Sequence, residues 1–393
     1  MWRRFRSFDR PVRLLMVNQL TINVAFYMLM PYLAGHLSDG LGMAAWTVGL
    51  VLGVRNLSQQ GLFLLGGTLA DRLGYRPVII AGCLLRTLGF GLLGFASSLP
   101  VLLTASALTG FAGALFNPAV RAYLAHNAGE RRLEAFSLFN VFYQAGILLG
   151  PLIGLALMAA DFRLVCSVAA GLFAALTILQ LLALPPCPVA AKSEKGVLDD
   201  WRTVLTNRPF VLFAGAMTGS YVMSFQVYLA LPLALDDPGR VTMLFVVSGG
   251  VALLGQLRIT DWARRRWTPA QAMTWGLALM GAAFVPPALT ASADAAVLVC
   301  AALLGVGTAL AYPFEMDTVV ALAGGRLVAT HYGLYNSISG VGVTVGNLVV
   351  GLLLDTSSQV ITWVALTGLG AGCAVSIRLL ERLGMTAPAT TPA

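Results

Sequence analysis

Apolar positions in this 393-residue chain do not alternate with polar ones. They run in stretches of about 20 residues, the length that crosses the hydrocarbon core of a bilayer as a helix, and the charged residues collect in the short segments between them. The pattern predicts twelve spans, at roughly 12–35, 47–69, 78–96, 100–122, 136–158, 164–184, 209–235, 242–259, 270–290, 295–322, 331–354 and 360–378. Helices rather than strands are implied, because a transmembrane barrel is written in alternating segments of about 10 residues. Glycine and proline inside these runs do not end them, since both are tolerated in membrane helices.

The apolar rhythm breaks once in mid-chain, from Pro185 to Arg208, where Pro185, Pro186, Lys192, Glu194, Lys195, Asp199 and Asp200 occur. This predicts a bundle over 1–184, a linker over 185–208 and a second bundle over 209–393. An internal repeat supports the division. Phe136-Ser137-Leu138-Phe139-Asn140, followed by Gly146 and Gly150, recurs as Tyr332-Gly333-Leu334-Tyr335-Asn336, followed by Gly342 and Gly346, at a constant offset of 196 residues. The fold class expected is an all-α membrane protein of twelve transmembrane helices in two pseudo-symmetric six-helix bundles.

Composition adds that the chain is 58% hydrophobic and only 11% charged, too little polar surface for a soluble globule of this size. The net charge of +8 would suit a nucleic-acid binder, but its distribution argues otherwise. With the N-terminus inside, 21 of the 25 Lys and Arg lie in cytoplasmic segments or at the span ends that border them, Arg163 and Arg240 lie opposite, and Arg55 and Arg86 fall deep within spans. So strong an asymmetry follows the positive-inside rule and puts both termini in the cytoplasm. The basic N-terminus leads into a span-length helix without a small-residue cleavage site, and reads as a retained tail. The five cysteines lack C-x-x-C spacing and read as reduced, packed side chains.

Two motifs carry a family resemblance. The segment Gly67-Thr68-Leu69-Ala70-Asp71-Arg72-Leu73-Gly74-Tyr75-Arg76 resembles the G-x-x-x-D-R-x-G-x-R signature of the major facilitator superfamily. Gly67 allows close helix approach, Gly74 a tight turn, and Asp71 puts a carboxylate at a helix end. The resemblance implies that Asp71 faces the start of the eleventh helix near Thr330 and His331, whose dipole favours an anion; otherwise the segment is a solvated turn. The second half keeps only Asp261 and Arg264-Arg265-Arg266 of this motif.

In the fifth span, Gly146, Gly150, Pro151 and Gly154 are similar to the G-x-x-x-G-P-x-x-G motif of the superfamily's proton-driven exporters, with Ser137 and Leu155 where that pattern has glycines. Glycines four apart form a smooth face for a neighbouring helix, and Pro151 bends the backbone. The runs Val54 to Gln60, Leu115 to Pro118 and Asp161 to Cys166 also look like those of bacterial multidrug-resistance exporters, most strongly in the first half. Where the resemblance leads one to expect an acid after Phe116, this chain has Asn117.

Charges inside a bilayer are expensive and mark function by default. Of 17 acidic residues, only Glu315 and Asp317 fall well inside a span, two positions and about 200° of helix rotation apart. Burial favours a neutral carboxyl and a nearby cation a charged one, so substrate entry can tip the balance; these two are the proton-coupling candidates, against a fixed ion pair. Asp317 is the repeat equivalent of Arg121, which suggests a gate of Arg121 with Asp317 or Glu315, unless Arg121 snorkels to headgroups.

Arg55 shares a face with Gln59, where it binds a polar or anionic substrate group, holds a carboxylate or caps carbonyls. Arg86 reads as structural. Phe26, Tyr27, Asn140, Tyr143, Tyr221, Phe225, Tyr335 and Asn336 are cavity candidates suited to lipophilic cations, or else helix packing.

No catalytic or metal constellation emerges: His36, His126 and His331 are far apart, and no phosphate loop is present. The expectation is a monomeric, multi-pass protein of the cell membrane, not an enzyme, without cofactor, metal or nucleic acid. It is expected to use protons to export amphipathic or cationic small molecules by alternating access. The alternatives are an exporter or importer of one metabolite, such as a siderophore or sugar, and a transport-silent sensor.

Overall fold

The computed structural model describes residues 2–187, 196–235, 238–290, 293–356 and 358–386. Lys192, Glu194 and Lys195 of the expected linker lie outside the described residues. Twelve helical passages follow the sequence pattern: α1 (Arg10–Tyr27), α2 (Ala45–Leu73), α3 (Tyr75–Phe95), α4 (Leu99–Ala128), α5 (Arg132–Met158), α6 (Phe162–Ala183), α7 (Arg208–Phe225), α8 (Pro238–Arg266), α9 (Pro269–Ala282), α10 (Asp294–Ala323), α11 (Val328–Thr356) and α12 (Gln359–Arg382). A short helix, Val197–Leu205, precedes α7.

Three passages expected as unbroken are interrupted, each by a proline. Helix α1 ends at Tyr27, the 3-10 turn after α7 ends at Tyr228, and α9 ends at Ala282. These positions lie four residues before Pro31, Pro232 and Pro286, where the missing amide and the ring together break the hydrogen-bond ladder. Helix resumes over Met30–Gly35, Ala230–Leu233 and Val285–Leu289.

Length and composition qualify all the passages except α2 as membrane-crossing, with α4 and α5 joined in one apolar stretch, Leu99–Met158. Helix α2 falls short because Arg55, Asn56, Ser58, Gln59 and Gln60 occupy its middle. In lipid such a polar segment is stable only when turned into protein or an aqueous cavity.

Contacts gather the chain into two compact units: Met1–Glu130, Phe142–Val204 and Gly325–Ser337; and Arg131–Val141, Leu205–Gly324 and Ile338–Ala393. The first turns of α5 are therefore grouped with the second unit, and those of α11 with the first. In the first unit α4 packs on α2 and α3, and α3 on α6; in the second, α10 packs on α8 and α9, and α9 on α12. The same scheme occurs twice, six helices later, as the internal repeat requires.

The repeat also recurs in its glycines. A Cβ at Gly146, Gly150 or Gly154 of α5 would collide with Asn23, Tyr27 or Met28, and one at Gly342 or Gly346 of α11 with Thr218 or Val222 of α7. Without a hydrophobic drive between helices in lipid, such small-residue contact is what holds them together. Tyr32 adds a 2.8 Å hydrogen bond to the Pro151 carbonyl.

All five cysteines are buried and none forms a disulfide. Cys187, beyond the end of α6, has its thiol pushed up to about 11 by burial, which keeps it protonated and inert.

Candidate functional site

Helix α2 ends where Gly74 takes φ +98°, a conformation other residues rarely adopt. That turn leaves Asp71 buried against the N-terminus of α11. Its carboxylate accepts the Thr330 amide at 2.7 Å, the Thr330 hydroxyl at 2.7 Å, the Ala329 amide at 3.2 Å and the Tyr75 hydroxyl at 3.3 Å. These are the amides that an α-helix leaves without an internal partner, and the helix dipole adds to the attraction. The approach depends on Gly67, where a Cβ would overlap the Ala329 carbonyl.

The rest of this motif anchors the short helix and α6. Arg72 grips buried Asp200 through Nε at 2.9 Å and Nη2 at 2.6 Å. Trp201 Nε1 donates to Thr68 at 2.8 Å, and Arg76 Nη2 to the Leu181 carbonyl at 2.7 Å. Sequence reasoning named Asp200 only as a linker charge and passed over Trp201. Their setting in Val197–Leu205, with acids in its first turn and an apolar face, was the available signal.

Arg121 falls in the first unit and Glu315 and Asp317 in the second, and each of the three side chains has a partner within its own unit. Arg121 Nη1 donates to Asn336 Oδ1 at 2.9 Å, and its Cζ lies 5.8 Å from the Tyr332 ring centroid. Asp317 pairs with Arg132, Nε to Oδ1 3.1 Å. The repeat-equivalent Asn140 donates to Gln256, which in turn donates to Thr260 at 3.0 Å and to the Ala309 carbonyl at 2.7 Å; Ser137 donates to Thr260 at 3.1 Å. Asn140, expected to face a cavity, is thus engaged in buried polar contacts, as polar groups out of water must be, whereas Asn336 is half-buried. Tyr335 is buried as well.

Glu315, rotated away from Asp317, is 1% exposed in the interior of α10 and accepts the Tyr221 hydroxyl at 2.6 Å. Tyr221 stacks on Tyr312, with ring centroids 5.3 Å apart, and the Tyr312 hydroxyl lies 2.7 Å from that of Ser224. Phe225, a turn further along α7, is exposed, with its ring beside Tyr228.

In the first unit, Phe26 meets Tyr27 edge-on and lies under Arg55, whose Nη groups reach Asn56 and Gln59, each at 2.7 Å. Arg86 approaches the same ring. The Tyr143 carbonyl accepts the Asn23 amide at 2.8 Å, tying α5 to α1.

A helical fold built twice over from apolar, span-length helices, with buried charges in the interior of each unit, defines a polytopic membrane protein. A sequence profile described as Major Facilitator Superfamily matches residues 15–347, and the chain belongs to that superfamily. An uncharacterized MFS-type transporter of Mycobacterium tuberculosis (strain ATCC 25618 / H37Rv) is 54% identical over 96% of this chain and 94% of its own. The multidrug resistance protein MdtH of Klebsiella pneumoniae (strain 342) is 30% identical, covering 91% and 90%. Among solved structures, the human organic anion transporter MFSD10 (TETRAN) aligns with TM-score 0.76 and 16% identity over 94% of this chain and 99% of that one. An auto-inhibited POT family peptide transporter aligns with TM-score 0.67 and 16% identity, covering 98% and 99%. At that identity the likeness is one of fold. The protein is a multi-pass membrane transporter of small molecules.

Proposed function

We propose that the chain is a proton-coupled exporter of amphipathic small organic molecules, working by alternating access of its halves, 1–184 and 209–393, with both termini cytoplasmic. The observation that carries this reading is Glu315: a carboxyl buried in the interior of α10 that accepts the Tyr221 hydroxyl. Such a group exchanges a proton whenever a conformational change alters its access to water, and burial makes its charged form costly enough to couple the two events. One elementary charge moving across about 150 mV supplies roughly 3.5 kcal/mol, enough for a several-hundred-fold gradient of a neutral substrate. The resemblance to a multidrug resistance protein supports breadth and outward direction.

The test is dye movement in inverted vesicles under an imposed pH gradient, comparing native protein with Glu315→Gln and Asp317→Asn. Proton release on substrate addition, abolished by a neutralisation, is expected. A native protein that moves neither dye nor proton across a broad panel would remove the multidrug reading and favour a single metabolite.

A further inference from the structure

Two guanidinium groups in the interior of the first unit have no carboxylate partner among the described residues. Arg86 is 5% exposed on α3, its Cζ 5.2 Å from the Phe26 centroid and 5.3 Å from that of Phe173, and its Nε has no hydrogen-bond partner. Arg55, half-buried on α2, lies 4.7 Å from the same Phe26 ring, and its Nε is likewise unsatisfied. Gln59 joins the two: its Oε1 holds Arg55, and its amide lies with Arg86 Nη2 over Gly113, where even a Cβ would crowd both.

Aromatic faces attract cations but bring no negative charge. Buried structural arginines are ordinarily neutralised by an acid, because an unanswered charge in low dielectric is costly and two like charges sharing one ring repel. Here the countercharge is missing while donor positions stay open, and half-exposed Arg55, Phe26 and Gln59 keep the place accessible. We infer that Arg55 and Arg86 bind the anionic group of the transported molecule, a carboxylate, sulfonate or phosphate on an amphipathic organic body. This rests on the exporter reading and replaces the cationic substrates expected from sequence by anionic ones, since a cation would meet two positive charges.

The experiment measures equilibrium binding to the full-length protein in nanodiscs by fluorescence anisotropy. The probes are fluorescein, an anion at mildly alkaline pH, and a cationic rhodamine ester on a related ring system. Native protein is expected to prefer fluorescein. Arg55→Gln and Arg86→Gln each weaken fluorescein binding by about tenfold or more, the usual cost of removing one partner of a buried charged contact, and leave rhodamine binding unweakened; Arg55→Lys retains most of the affinity. Preference of the native protein for rhodamine, or fluorescein binding that survives both glutamine changes, overturns the inference. If Arg86→Gln does not elute as a single folded species, Arg55→Gln, at the half-buried position, decides alone. Proteoliposome uptake separates the two readings. Binding through Arg55 with neither dye moved keeps the site and removes export, whereas movement of rhodamine alone keeps export and removes the site.

Discussion

Thr330 donates to Asp71 twice, through its amide and its hydroxyl, both at 2.7 Å. The carboxylate thereby caps α11 from a helix more than 250 residues earlier in sequence. Hydrogen bonds to a charged acceptor are worth about 1.5–3 kcal/mol each, and leaving buried donors bare costs a comparable amount. Asp71→Asn is therefore expected to lower thermal stability in detergent and to cut transport by about tenfold or more. Thr330→Val, which leaves the amide in place, should cost less. A double-mutant cycle should give a coupling of about 1–2 kcal/mol; additive effects would mean that the two side chains do not act as a cap.

Glu315 and Tyr221 form the other short contact on which function is expected to depend. Glu315→Gln preserves shape and hydrogen bonding but cannot release a proton. The expected phenotype is loss of pH-driven movement with substrate exchange between the two sides retained, since exchange needs no net proton transfer. Tyr221→Phe should slow transport while leaving it coupled. Exchange and pH-driven flux in proteoliposomes, measured side by side, separate these outcomes; equal loss of both in Glu315→Gln would assign the residue to substrate binding or folding instead.

Asp317 has a different setting. Its partner Arg132 and its own carboxylate are 34% and 25% exposed, so water screens the pair and its worth is about 0.2–1 kcal/mol. Asp317→Asn should leave pH-driven transport within about threefold of native. Reversing the pair, Arg132→Asp with Asp317→Arg, should restore whatever either single change loses. Abolition of coupling by Asp317→Asn alone would transfer the proton role from Glu315 to Asp317.

The twelve passages and the internal repeat were legible because a bilayer imposes a length on every helix and admits charge only at a cost. The breaks before Pro31, Pro232 and Pro286 were not anticipated, although each proline was in plain view, because membrane helices often carry proline unbroken, as α4, α5 and α10 do at Pro118, Pro151 and Pro313. For Asp71, the cap on α11 appears where the motif placed it. Pairings across the chain were harder to read. The match of Arg121 with Asp317 rests on repeat arithmetic, and an offset relates equivalent positions without naming partners; within its own unit Arg121 meets Asn336, and within its own Asp317 meets Arg132.

The glycines of α5 offer a test in which only one methyl group is added. At Gly150 a Cβ would fall 2.6 Å from Tyr27 Cβ and 3.0 Å from the Tyr27 carbonyl carbon, both fixed parts of α1 that no side-chain rotation can clear. At Gly171 of α6 a Cβ would meet nothing within 4 Å. Alanine raises helix propensity equally at both positions, by up to about 1 kcal/mol, so the difference between the variants isolates packing. Overpacking typically costs about 1–3 kcal/mol. Gly150→Ala is therefore expected to lower the melting temperature in nanodiscs and to slow transport, whereas Gly171→Ala should be neutral or slightly stabilising. Gly346→Ala on α11, facing Val222 of α7, should fall between them, because a valine can change rotamer where backbone cannot. Equal behaviour of Gly150→Ala and Gly171→Ala would mean that α5 and α1 are not held this closely, and the exporter-like glycine motif would then have no mechanical role.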